Sequence, residues 1–167
     1  MSLDRHIVLI GSSGAGKSSI AEAVHEKFGV PKYDSDNWVV ETTGLSIPKI
    51  FEEDGEPYFR NLEARALRRI LEKEPGITAT GGGMAGSEVG YSALRNADAT
   101  IILCEVSLET AWGRVSNDPN RPLAQDFAVF EARYIARQEP WHSVAHFSMN
   151  TELAVEFSVE ELATYFV

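Results

Sequence analysis

Near the start of the chain, Gly11-Ser12-Ser13-Gly14-Ala15-Gly16-Lys17-Ser18 satisfies the pattern G-x-x-x-x-G-K-[ST] at a single place. Each residue type has a chemical reason to stand there. The glycines let successive backbone amides converge on phosphate oxygens, and the helix that follows adds the positive end of its dipole. Lys17 is a point charge for the β and γ phosphates of a nucleoside triphosphate, and the Ser18 hydroxyl is a ligand for Mg²⁺. With Ser19 behind them, these residues are the expected nucleotide-binding stretch. A glycine-rich turn that merely joins a strand to a helix would need neither the lysine nor the serine.

Asp34 and Asp36, one residue apart, are the second group with chemistry in view. Alone, such a pair is more often a solvated turn than a site. Beside a triphosphate loop the balance reverses, because Mg²⁺ prefers carboxylate and water oxygens. One carboxylate is then expected to hold the metal's water shell and the other to accept a hydrogen bond from a hydroxyl.

These groups need elements to position them. The apolar run at 6–10 reads as a buried strand ending at Gly11, and Ile20, Val24 and Phe28 recur every four residues along a helix closed by Gly29. A strand at 31–34 carries the aspartates at its carboxyl end. Short helices are expected over 37–54, then a helix opened by Pro57, with Phe59, Leu62, Ala66 and Ile70 as its buried stripe. A strand at 77–80 runs into Gly81-Gly82-Gly83, followed by a helix at 88–95 and a strand at 99–106. Ser107 is the expected cap of a helix to 115. The turn-rich segment 116–124 reads as an exposed, mobile loop. Asp126 can cap a helix to about 138, and 146–149 makes a last strand. Ser158 and Glu161 form an expected capping box for the final helix, with Phe157 and Leu162 as its staple. Short apolar strands alternating with helices imply one α/β domain over 1–167, a three-layer fold with a mostly parallel five-stranded sheet. Ligands belong at the carboxyl ends of its strands.

Composition narrows the partners. Of 167 residues, 44% are hydrophobic and 24% charged, which fits a globular domain. The net charge of −10 disfavours nucleic acid and anionic membranes, so the few arginines must be focused in a cleft to hold phosphates. No run is long enough for a membrane span and no signal-like leader precedes the first strand. Cys104, the single cysteine, lies in an apolar run and suits a reducing cytoplasm. The expectation is a cytoplasmic monomer. His6, His25, His142 and His146 have no metal-ligand clustering.

Taken in order and spacing, the chain resembles the shikimate kinases, small P-loop kinases that phosphorylate the 3-hydroxyl of shikimate with ATP. The resemblance covers roughly residues 6–151. Its residues are the loop ending Gly16-Lys17-Ser18, Tyr33-Asp34-Ser35-Asp36, Ser46-Ile47, Ile50-Phe51, Gly55-Glu56, Phe59-Arg60, the three glycines at 81–83, Arg121-Pro122-Leu123, and Arg137 before Val144-Ala145. The resemblance implies a P-loop NTPase fold with a substrate-binding helical segment at about 37–73. It also implies Asp34 on the Mg²⁺ side and Asp36 on the shikimate hydroxyls. Arg60 and Arg137 would hold the shikimate carboxylate, with Gly81, Gly82 and Gly83 beside them. Arg121 would be the lid arginine over the transferring phosphate, and Arg114 would lie against adenine. Lys17, Asp36 and Arg121 would be the catalytic set. The chain departs from the family at Trp141, where tyrosine is common, at Met84-Ala85 after the glycines, and at Glu152, where relatives often carry a basic residue near adenine. A kinase of another small hydroxylated acid, or a nucleotide-dependent binding module, stays as an alternative.

Overall fold

The computed structural model describes residues 1–116 and 126–167. The expected lid, with Arg121, therefore falls on residues outside the described ones, apart from Ser116. Five strands, β1 (His6–Ile10), β2 (Lys32–Asp34), β3 (Ile77–Ala79), β4 (Ala99–Glu105) and β5 (Phe147–Asn150), form one sheet in the order β2-β3-β1-β4-β5. Every pairing is parallel. All carboxyl ends therefore lie at one edge, and β1, which leads into the phosphate-type loop, is central.

The three layers follow from the two-residue period of a strand. Along β1, Ile7 and Leu9 pack on one face with Ile20 and Val24 of α1 (Lys17–Phe28) and Leu162 of α8 (Val155–Leu162). Val8 and Ile10 pack on the other with Leu67 of α4 (Glu56–Leu71), Leu94 of α5 (Glu88–Arg95) and Trp141 of α7 (Phe127–Val144). β4 alternates likewise, Ile102 and Cys104 against Ile101 and Leu103. A smaller core of Val39, Ile50, Phe59 and Ala66 joins α2 (Ser35–Thr43) and α3 (Ile47–Asp54) to α4. That cluster makes the segment expected to bind substrate a packed flap.

Local signals explain most element ends. Ser46, Asp126 and Ser107 cap α3, α7 and α6 (Leu108–Val115) by accepting from the amides of Lys49, Val129 and Thr110. Two expectations fail. The helix from Asp126 continues past 138 to Val144 with Pro140 inside it. Burial of Trp141 and Val144 holds the extra turn against the missing amide. The capping box at Ser158 and Glu161 does not form, because α8 begins at Val155 and Ser158 is buried within it. A hydroxyl in a helix interior has no exposed first turn to cap. Among the described residues no helix is long and apolar enough to cross a membrane.

Candidate active site

The loop between β1 and α1 is shaped by backbone that only glycine accommodates. Gly11 and Gly14 have φ of 137° and 83°, and a Cβ would stand 2.6 Å from the Cys104 carbonyl oxygen and 2.5 Å from that of Ala111. Helix α1 starts after Gly16 with no side-chain cap. The first-turn amides, which Ser or Asp satisfies at α3, α6 and α7, are left to an anion here. Lys17 is 7% exposed, and its Nζ donates at 2.7 Å to the carbonyls of Gly11 and Ser12. Ser18 and Ser19 are exposed at the mouth of a cavity of about 240 Å³ that Gly14, Gly16, Lys17 and Asp34 also line.

Arg114, expected near adenine, reaches this loop from α6. It donates to the Gly14 carbonyl at 2.9 Å and to the Thr151 carbonyl at 3.0 Å, clipping the loop to the segment after β5. Glu152 beside it accepts from the amide of Ser107 and, at 2.7 Å, from the Thr110 hydroxyl. The acidic residue that breaks the family pattern thus fastens the same segment to the start of α6. Hydrogen bonds from Thr110 and Ser107 hold its carboxyl below the usual range.

The aspartates sit at the end of β2 because α2 begins there. Asp34 is the N-cap of α2, one oxygen accepting from the Asn37 amide at 3.0 Å and the other from the Ser18 hydroxyl at 3.4 Å. Asp36, in the first turn of the helix, faces a second cavity of about 570 Å³ that runs from Ser12 and Ser13 to Arg60 and Arg137.

Gly81, Gly82 and Gly83 form the floor between these cavities, each pressed against a different functional group. A Cβ on Gly81 would lie 2.3 Å from Glu63 Oε1 and 2.9 Å from Asp36 Oδ1. On Gly82 it would lie 2.9 Å from the Ser13 amide nitrogen, and on Gly83 2.3 Å from Arg60 Nη2. The amide of Gly81 donates to Ser35 Oγ at 3.2 Å, tying the floor to the aspartate turn.

Glu63 is the group that sequence reasoning missed. It falls within the apolar stripe of α4, between Phe59 and Ala66, where a charge has no reason to be unless it is paired. Its side chain is fully buried and accepts from Arg60 at 2.7 Å, while Oε1 has no hydrogen-bond partner. Burial lifts its carboxyl to about 7 against the pull of Arg60, and the charge of Asp36 adds to the lift. Glu56, one turn earlier, takes Arg60 Nη2 at 3.0 Å. Burial opposes the charge of Arg60, but Glu63 and Glu56 outweigh it and its pKa is raised.

Arg137 projects from α7 into the same cavity and has no ion-pair partner among the described residues. Burial first, then Arg60 and Arg133, pull its pKa down to about 10. Arg60 and Arg137, 76 residues apart in the chain, thus act on each other across one cleft, with Asp36 and Lys17 toward its other end.

The histidines serve structure. His6 accepts from the Gly76 amide and contacts the Lys73 carbonyl, and His146 accepts from the Ile101 amide. His142 pairs with Glu105 at 2.6 Å. No group of three or more metal-ligating side chains is found among the described residues by His, Cys, Asp and Glu alone.

The family model for shikimate kinase matches residues 13–167. The shikimate kinase of Ruegeria pomeroyi is 36% identical over 138 residues, spanning 81% of this chain and 70% of that protein. Among solved structures, shikimate kinase from Acinetobacter baumannii in complex with shikimate superposes with a TM-score of 0.88 at 27% identity, over 96% of this chain and 91% of that one. Shikimate kinase from Aquifex aeolicus gives 0.82 at 30% identity, over 96% and 95%.

Proposed function

The chain belongs to the shikimate kinase family, and from that premise and the geometry of its cleft we propose that it moves the γ-phosphoryl group of ATP, with Mg²⁺, to the 3-hydroxyl of shikimate. The activity that membership carries is phosphorylation of shikimate. One observation carries the acceptor assignment: Arg137, half-buried, lines the same cavity as Arg60 and has no ion-pair partner among the described residues. A half-buried cation in that state calls for an anion, and a guanidinium fork suits a carboxylate.

The triphosphate lies along the uncapped amides of α1, and Lys17 exchanges the carbonyls of Gly11 and Ser12 for β and γ oxygens. Ser18 Oγ and Asp34, already within 3.4 Å, are a hard-oxygen set that fits Mg²⁺, Asp34 acting through the metal's water. Mg²⁺, when bound, neutralises charge on the phosphate oxygens. On the acceptor side, Arg60 and Arg137 fix the carboxylate end of shikimate. Asp36 accepts from the attacked hydroxyl and turns its oxygen toward the γ-phosphorus. Glu63 keeps Arg60 in place. Its buried negative charge beside Asp36 also favours proton uptake by the pair as the hydroxyl is attacked. Arg114 holds the loop, and its exposed face is available to the base. Arg121, outside the described residues, is assigned by the resemblance to the remaining charge on the transferring phosphoryl group.

The test is ADP release in a coupled assay with ATP, Mg²⁺ and shikimate, with quinate and no acceptor as comparisons. Acceptor-dependent release with shikimate well above quinate is expected. Equal release with every acceptor, or none with shikimate, overturns the assignment.

A further inference from the structure

Among the described residues, the acceptor cleft holds one cation that the carboxylate assignment does not use. Helix α7 turns Phe130, Arg133 and Arg137 into the cavity at helical spacing, so Arg133 stands one turn before Arg137 on the same face. Arg133 also lines an adjoining outer cavity of about 490 Å³ with Glu56, Gly86 and Arg137. It therefore stands where the two cavities adjoin. It is half-buried and has no hydrogen-bond or ion-pair partner among the described residues.

Its neighbours make this arrangement costly without a ligand. Like charges four residues apart on a helix repel, and Arg133 is one of the charges that depress Arg137. Arg60 already has Glu56 and Glu63, so Arg133 and Arg137 face the cleft with no ion pair among the described residues. Only one acceptor carboxylate is available for them. The protein as a whole carries a net charge of −10, which on average repels an anionic acceptor.

We propose that Arg133 is a further acceptor-binding residue: it draws the acceptor's carboxylate to the mouth of the cleft by charge and hands it to the Arg60–Arg137 fork. This rests on the reading of the site as one for a hydroxylated carboxylic acid. It assigns Arg133 to acceptor capture and not to phosphoryl transfer, so its effect lies in KM and in salt dependence.

The experiment compares the starting protein with Arg133→Gln and Arg133→Lys, measuring kcat and KM for shikimate and for ATP from low to high ionic strength. Arg133→Gln is expected to raise the shikimate KM about fivefold at low salt, without lowering kcat or changing the ATP KM. Added salt shrinks the difference, and Arg133→Lys restores most of the loss because it keeps the charge. An unchanged shikimate KM in Arg133→Gln overturns the proposal while leaving the functional assignment standing. So does a fall in kcat with both variants, which marks a packing role. If the starting protein releases no ADP in response to shikimate, the functional assignment itself has failed, and this proposal goes with it.

Discussion

Gly83→Ala isolates the acceptor fork by adding a single methyl group. Gly83 has φ −100° and ψ 1°, a conformation open to alanine, so the backbone is not strained by the change. The new Cβ instead lands 2.3 Å from Arg60 Nη2 and 2.5 Å from Cζ, where 3.4–4 Å is ordinary contact. The guanidinium must retreat by about 1 Å, and a misplacement of that size in a positioning group costs on the order of 100-fold in rate. A long side chain would normally swing aside at little cost. Arg60 is 8% exposed and held at 2.7 Å by Glu63 and 3.0 Å by Glu56, so it moves only by loosening those bonds. The pair is stretched and not deleted, and the stability loss should stay below the roughly 3–5 kcal/mol of removing a buried partner. The assay is kcat/KM for shikimate at saturating ATP, with nucleotide affinity measured by direct binding and folding by urea unfolding. The expected pattern is a loss of about 100-fold in kcat/KM for shikimate, with ATP affinity within twofold. If kcat/KM stays within threefold, Arg60 does not hold the acceptor as proposed.

Lys17→Ala should nearly abolish turnover, because it removes the charge on the β and γ phosphates; single-turnover rates within about threefold of the starting protein would refute that role. Arg137→Lys keeps charge but loses the planar fork, so it should raise the shikimate KM, whereas Asp36→Asn should cut kcat and spare nucleotide affinity; steady-state kinetics with separate ATP titrations distinguish the two. Glu63, raised to about 7 from an unfolded value of 4.5, binds more protons folded than unfolded between those limits. Its contribution to stability is therefore full below about pH 4.5 and is lost as pH rises through about 7, by on the order of 3 kcal/mol. Urea midpoints from pH 4.5 to 8 should show Glu63→Gln gaining on the starting protein as pH rises, and parallel curves would contradict the buried carboxylate.

The sequence alone determined whatever is carried by neighbours along the chain. The phosphate loop is contiguous from Gly11 to Ser18, and its glycines, lysine and serine each answer a local demand of backbone or charge. The alternation of apolar strands with helices likewise sufficed for a parallel three-layer fold, and Ser107 and Asp126 cap the helices that follow them. Ser158 and Glu161 matched a local pattern just as well and formed no cap, because α8 starts three residues earlier and packs against α1, burying the hydroxyl. The acceptor cleft belongs to the other kind of information. Arg60 and Arg137 were paired through family resemblance, since nothing in a linear spacing of 76 residues brings two cations together. Nothing in the sequence sets Glu63 apart from the other polar residues of its helix, or Arg133 from the other cations. Only the packing of α4 and α7 over the three-glycine floor decides that Glu63 is buried against Arg60 and that Arg133 faces the cleft beside Arg137. A covalent neighbour is within reach at any stage of folding, whereas charges from distant elements acquire their partners, and their cost, when the layers close and water leaves.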